Sequence, residues 1–66
     1  MNETVINTNG KEIDFEAAVN LMDGDIREAL HNSKEWNSNQ EFFSAYEKAH
    51  EAKSGEWELS KANPVW

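Results

Sequence analysis

Asn9-Gly10 lies between two short stretches in which apolar and polar residues alternate, and it constrains the N-terminal fold more than any other feature. The tightest hairpin turn needs positive φ at both central positions, which Asn and Gly tolerate best. A two-residue turn here predicts a β-hairpin over residues 4–13, with Thr8 opposite Lys11, Asn7 opposite Glu12 and Ile6 opposite Ile13. Ile6 and Ile13 then face the core, and Val5, Asn7, Glu12 and Asp14 face away from it. A slip of one residue would turn the isoleucines outward.

Asp14 is placed to cap a first helix, in which Phe15, Ala18, Val19 and Met22 recur at i, i+3, i+4 and i+7. Asp23-Gly24-Asp25 interrupts that pattern, and either Asp can cap a second helix carrying Ile26, Ala29 and Leu30. Residues 32–39 are polar apart from Trp36 and read as a loop. Ser38 and Glu41 stand at capping-box spacing before a third helix, with Phe42, Ala45, Tyr46 and Ala49 inward and Gly55 as its stop. Adjacent Phe42 and Phe43 cannot both face one core from a single helix. Residues 56–60 alternate again, with Trp57 and Leu59 on one side and Glu56, Glu58 and Ser60 on the other, which predicts a third strand. Residues 61–66 hold the single proline and read as extended, with Trp66 either folded back or exposed. The expected fold is α+β: a three-stranded antiparallel sheet, hairpin plus C-terminal strand, packed on one face by two or three helices in the order ββαααβ.

At 66 residues the chain is one domain, residues 1–66. Three Trp, three Phe and one Tyr supply most of its apolar area. With no cysteine it has neither a disulfide nor a thiolate ligand or nucleophile. No apolar run approaches the ~20 residues of a membrane span, and the N-terminus lacks the basic and apolar regions of a signal peptide. The reading is a cytoplasmic protein, without a membrane partner and monomeric. A net charge of −7 repels phosphates and so disfavours direct nucleic-acid binding. The same charge favours a basic surface on a protein or nucleoprotein complex.

The acidic sheet face is the leading candidate site. If the third strand lies beside the second, Glu56 and Glu58 share an outer face with Glu12 and Asp14. Carboxylates two residues apart on a strand are ~6.6–6.8 Å apart, close to the phosphate spacing along one DNA strand. Like charges opposed across strands also cost stability, so a fold that keeps them has a use for them or simply solvates that face. A second strip, Glu47 and Glu51 with Glu41 ahead of it, is diluted by Lys48 and Lys53 and reads as an ordinary solvated helix face. The alternative site is aromatic, around Trp36 and Phe43.

Metal and catalytic readings fail on spacing. An EF-hand loop from Asp23 would need Glu at its twelfth position and Gly at its sixth, where Lys34 and Glu28 stand. His50-Glu51 begins like a zinc-protease motif, but Ser54 occupies the place of the second His. No metal, cofactor or catalytic residue is expected, and an enzyme is not.

The wording of residues 9–57 adds a resemblance. NGKEIDFEAAVNLMDGDIREALH, then NQEFFSAY and a closing GEWEL, resembles small proteins of bacteriophages and mobile elements. In size and charge the chain is similar to a type I-C anti-CRISPR protein. The resemblance implies an inhibitor acting in the host cell on a CRISPR effector complex such as Cascade. It would occupy a basic nucleic-acid-binding surface as an acidic DNA mimic. It transfers no site residue. The rival reading is a small phage accessory or regulatory protein that binds its partner through the apolar aromatic patch.

Overall fold

The structure is a computed structural model that describes residues 3–64. Trp66, and with it the end of the expected extended tail, lies outside the described residues. The elements are β1 (Thr4–Ile6), β2 (Glu12–Asp14), α1 (Phe15–Asn20), α2 (Gly24–Ser33), α3 (Asn39–Ser54) and α4 (Glu58–Lys61). The class is α+β, as expected, with a two-stranded antiparallel sheet.

The hairpin forms one residue out of the expected register. Val5 pairs with Ile13, Ile6 with Glu12 and Thr4 with Asp14. The turn is longer than two residues. Gly10 N–H donates to the Asn7 carbonyl at 3.0 Å and Asn7 N–H to the Lys11 carbonyl at 3.0 Å. Gly10 has φ 86, and no non-glycine residue described has positive φ. This is a three-residue loop ending in a glycine bulge, in which Asn9 needs no left-handed conformation. Asn7 explains the choice: its Oδ1 accepts from Asn9 N–H at 2.9 Å and Lys11 N–H at 2.8 Å. The shift makes Val5 the inward partner of Ile13 and leaves Ile6 44% exposed.

The expected third strand is absent. Trp57 is extended and serves as the N-cap of α4, and Ser60 N–H returns to the Trp57 carbonyl at 3.0 Å. Residues 58–61 are helical, so the order is ββαααα. The two-residue alternation was real as a burial pattern, with Trp57 buried and Leu59 half-buried, but one helical turn after an extended residue satisfies it equally well.

The helix starts follow the caps. Asp14 accepts from Ala17 N–H at 3.1 Å, Asp23 from Asp25 and Ile26 N–H at 2.9 and 3.2 Å, and Ser38 Oγ from Glu41 N–H at 3.1 Å. The capping box is only half closed, because Glu41 reaches back to Asn37 N–H at 3.4 Å instead of the Ser38 amide. Gly55, at φ 88, ends α3. In α2 Ile26 is buried, Leu30 is half-buried and Ala29 is exposed.

The core is Val5, Ile13, Ala18, Met22, Ile26, Phe42, Phe43, Tyr46 and Trp57. Both phenylalanines are buried because α3 is covered on two sides. Phe42 meets Phe15 and Trp36 edge-on at 6.5 and 5.6 Å, and Phe43 meets Trp57 at 5.5 Å. Trp57 also packs edge-on to Tyr46 at 4.5 Å, so the segment once expected as a strand supplies a central core residue. Burial of each such large side chain stabilises the fold by about 1.5–3 kcal/mol.

Candidate acidic interface

Without a third strand, the sheet face that would have aligned four carboxylates does not form. Glu12 points outward from β2 and is exposed. Asp14 is committed to the fold: its Oδ2 caps α1, and its Oδ1 is buried with no partner among the described residues. Glu56 is exposed in the turn between α3 and α4, and Glu58 is exposed in the first turn of α4.

Another acidic arrangement takes its place. A groove of about 630 Å³ runs between the hairpin turn, α3 and α4. Glu47, Glu51 and Glu56 line it, beside Ile6, Lys48 and Lys61. Glu47 and Glu51 are one helical turn apart, about 6 Å along the axis. Ile6 lies opposite Glu12 across the hairpin, so the Glu12 side chain shares the outward face of Ile6, although it does not line the groove.

Polar side chains build the groove walls. Glu47 Oε2 accepts from Ser60 Oγ at 2.6 Å and from Thr8 N–H at 3.3 Å. Asn7 Nδ2 donates to the Leu59 and Ala62 carbonyls at 2.7 and 2.8 Å. Asn9 Nδ2 reaches the Lys61 carbonyl at 3.1 Å and Asn63 Oδ1 at 3.2 Å. At the other side, Gln40 of α3 closes the edge of β1. Its Oε1 accepts from Ile6 N–H at 2.7 Å and its Nε2 donates to the Ile6 carbonyl at 2.9 Å, as a neighbouring strand would.

Few of the carboxylates are ion-paired within the described residues. Of thirteen carboxylates, only Glu41 is in an ion pair among the described residues, with Lys34 at 3.0 Å. The hydrogen bond from Lys34 holds the Glu41 carboxyl below its usual range. Asp23 is also held low, chiefly by the Ile26 amide. Burial pushes the Tyr46 phenol up, and its hydroxyl accepts from Asp23 N–H at 2.6 Å.

The aromatic alternative is also rearranged. Phe43 is fully buried and reaches no surface. Trp36 instead lines a shallow groove of about 950 Å³ with Phe15, Val19 and Phe42, rimmed by Arg27, His31 and Lys34. Its Nε1 donates to the Leu30 carbonyl at 2.9 Å, and Lys34 Nζ lies 4.7 Å from its ring centre.

Among the described residues no group of three or more His, Cys, Asp or Glu could hold a metal ion. No described helix is long and apolar enough to cross a membrane. Sequence reasoning passed over Glu47 and Glu51 as an ordinary helix face, and it placed Asn7 outward. The signal for Asn7 was its place at the root of an Asn-rich turn, where a side-chain amide can organise both the turn and a neighbour.

The family model for anti-CRISPR protein AcrIC5 matches residues 6–57. That span runs from the exposed Ile6 to the buried Trp57 and so includes the end of β1, the hairpin turn, β2, the first three helices and the groove carboxylates. No curated protein matches the chain.

Proposed function

The chain belongs to the AcrIC5 family of type I-C anti-CRISPR inhibitors, and from that premise we propose that it docks its acidic groove on a basic, DNA-binding surface of the effector complex. Glu51 and Glu56 in the groove, Glu12 on the outward face of β2 and Glu58 on α4 are the contacting carboxylates. Glu47 is shared between the groove and its scaffold, and Asp14 serves the scaffold alone. The reading rests on one observation: among the described residues only Glu41 is in an ion pair, and Glu47, Glu51 and Glu56 converge on one groove, where Lys48 and Lys61 form no ion pair with them. A folded chain of net charge −7 bears self-repulsion, and an external basic surface relieves it. Carboxylates about one helical turn apart present anionic oxygens at a spacing that lysines and arginines of a DNA channel accept. Inhibition is then steric and electrostatic: the protein occupies the place of target DNA and does no chemistry.

The test is a triple variant, Glu12→Gln, Glu51→Gln and Glu56→Gln, with Glu47 left intact because it holds Ser60 and Thr8. Exposed substitutions of this kind change stability by about ±0.5 kcal/mol. Affinity for a purified type I-C effector complex should fall on the order of tenfold or more at low salt, within the range of electrostatic steering. The wild-type affinity should drop steeply with ionic strength and the variant's less so. A folded variant that blocks target-DNA binding as well as wild type refutes the acidic reading. The contact would then lie in the aromatic groove of Phe15, Trp36 and Phe42.

A further inference from the structure

The hairpin has two edges, and the described residues cover them unequally. Asn7 N–H to the Lys11 carbonyl and Phe15 N–H to the Glu3 carbonyl bracket the ladder. Antiparallel pairs alternate between bonded and non-bonded, so Val5 and Ile13 are the bonded pair between those two. Thr4, Ile6, Glu12 and Asp14 therefore direct their backbone groups outward. On β1, Gln40 takes both groups of Ile6. On β2, neither the amide nor the carbonyl of Glu12, nor the amide of Asp14, has a partner among the described residues. This is the edge beside which a third strand was expected and which residues 56–60 leave unfilled.

We propose that the outer edge of β2, from Glu12 to Asp14, adds an extended basic segment of the effector protein as a third strand. The identity of the partner rests on the inhibitor reading above; the mode of docking goes beyond it. Strand addition supplies affinity through main-chain bonds and specificity through alternate side chains. A residue opposite Glu12 would share its outward face at a Cα separation of ~5.5 Å. Lys or Arg there makes a favourable cross-strand pair, and a carboxylate an unfavourable one. A second copy of this chain does not fit. Antiparallel pairing of β2 with itself centred on Glu12 opposes Glu12 to Glu12, and centred on Ile13 opposes Glu12 to Asp14. Both put like charges together across the new ladder.

The variants Glu12→Gln and Glu12→Pro separate charge from backbone. Both lose the carboxylate, but only proline loses the N–H. Proline is tolerated on an edge strand whose N–H faces away from the ladder. Binding to a purified type I-C effector complex should be about tenfold weaker for Glu12→Pro than for Glu12→Gln, the upper end for one net hydrogen bond. In wild type, the Glu12 amide should exchange quickly with deuterium when free and slowly in the complex, while the Ile13 amide is protected in both. Equal binding of the two variants, with an unprotected Glu12 amide in the complex, overturns strand addition and leaves the electrostatic reading standing. Slowed Glu12 exchange that depends on inhibitor concentration alone would assign the edge to a second copy and overturn the basic partner. Failure of the wild-type protein to bind the effector complex overturns both readings.

Discussion

Asn7→Ala should bring the protein close to unfolding. The side chain is 5% exposed and makes four hydrogen bonds, two donated to carbonyls around α4 and two accepted inside the hairpin turn. Each is worth about 0.5–1.5 kcal/mol net. The Asn9 and Lys11 amides lie near the surface, where water can replace the lost acceptor, so the lower half of that range applies to them. The expected loss is about 2–5 kcal/mol. A core this small leaves roughly 3–5 kcal/mol in total. Asn9→Ala is the control: its Nδ2 contacts are exposed, and its loss should cost under about 1 kcal/mol. Urea unfolding followed by tryptophan fluorescence reads both, since buried Trp57 sits beside the segment that Asn7 anchors. If Asn7→Ala unfolds within about 0.5 kcal/mol of wild type, or if the two variants cost the same, the burial argument is wrong.

Tyr46→Phe removes the acceptor of Asp23 N–H from a fully buried ring and should cost about 1–1.5 kcal/mol, read as a lowered Tm. Because burial raises the folded pKa of this phenol, the associated stability is complete below its ordinary value of about 10 and is lost as pH rises beyond it. At the acid end the sign reverses. Asp23 and Glu41 have lowered folded pKa values, so their stabilisation is full above the ordinary carboxylate range of about 4 and is lost as pH falls below it. Asp23→Asn and Glu41→Gln should each flatten the acid side of a Tm-versus-pH curve, and an unchanged slope in both would count against these two bonds as its source.

The parts of the fold set by short-range chemistry were legible. Asp14 and Ser38 cap the helices they were expected to cap, Asp23 is the one of the two candidate aspartates that caps α2, and Gly55 ends α3, because a cap is decided by a side chain and amides two or three residues away. The larger failures depended on distant partners. Asn-Gly suits both a two-residue turn and a glycine-bulge loop, and the choice came from Asn7, which also binds α4 more than fifty residues away. Five alternating residues at 56–60 could not tell a strand from an extended residue followed by one helical turn. Placing both Phe42 and Phe43 inside required knowing that Trp36 and Trp57 approach α3 from different sides. The acidic site failed with the third strand, since its four carboxylates shared a face only through that strand.

The division of labour among polar residues accounts for a fold this small carrying so much unneutralised charge. The connections that replace missing secondary structure are made mostly by neutral amides: Gln40 completes β1, and Asn7 and Asn9 fasten the C-terminal segment to the hairpin. Amide bonds of this kind keep their strength when salt screens charge, and they do not weaken when a carboxylate is neutralised by a partner. Glu47 is the exception among the groove acids, because it serves both the scaffold and the groove. Glu12, Glu51, Glu56 and Glu58 make no hydrogen bond or ion pair within the described chain that docking would have to break. The proposed docking on a basic surface would therefore leave the scaffold's contacts intact and reduce the repulsion among its acids. Salt accordingly acts in opposite directions on the two properties: screening eases the self-repulsion of the free protein and weakens its attraction to a partner.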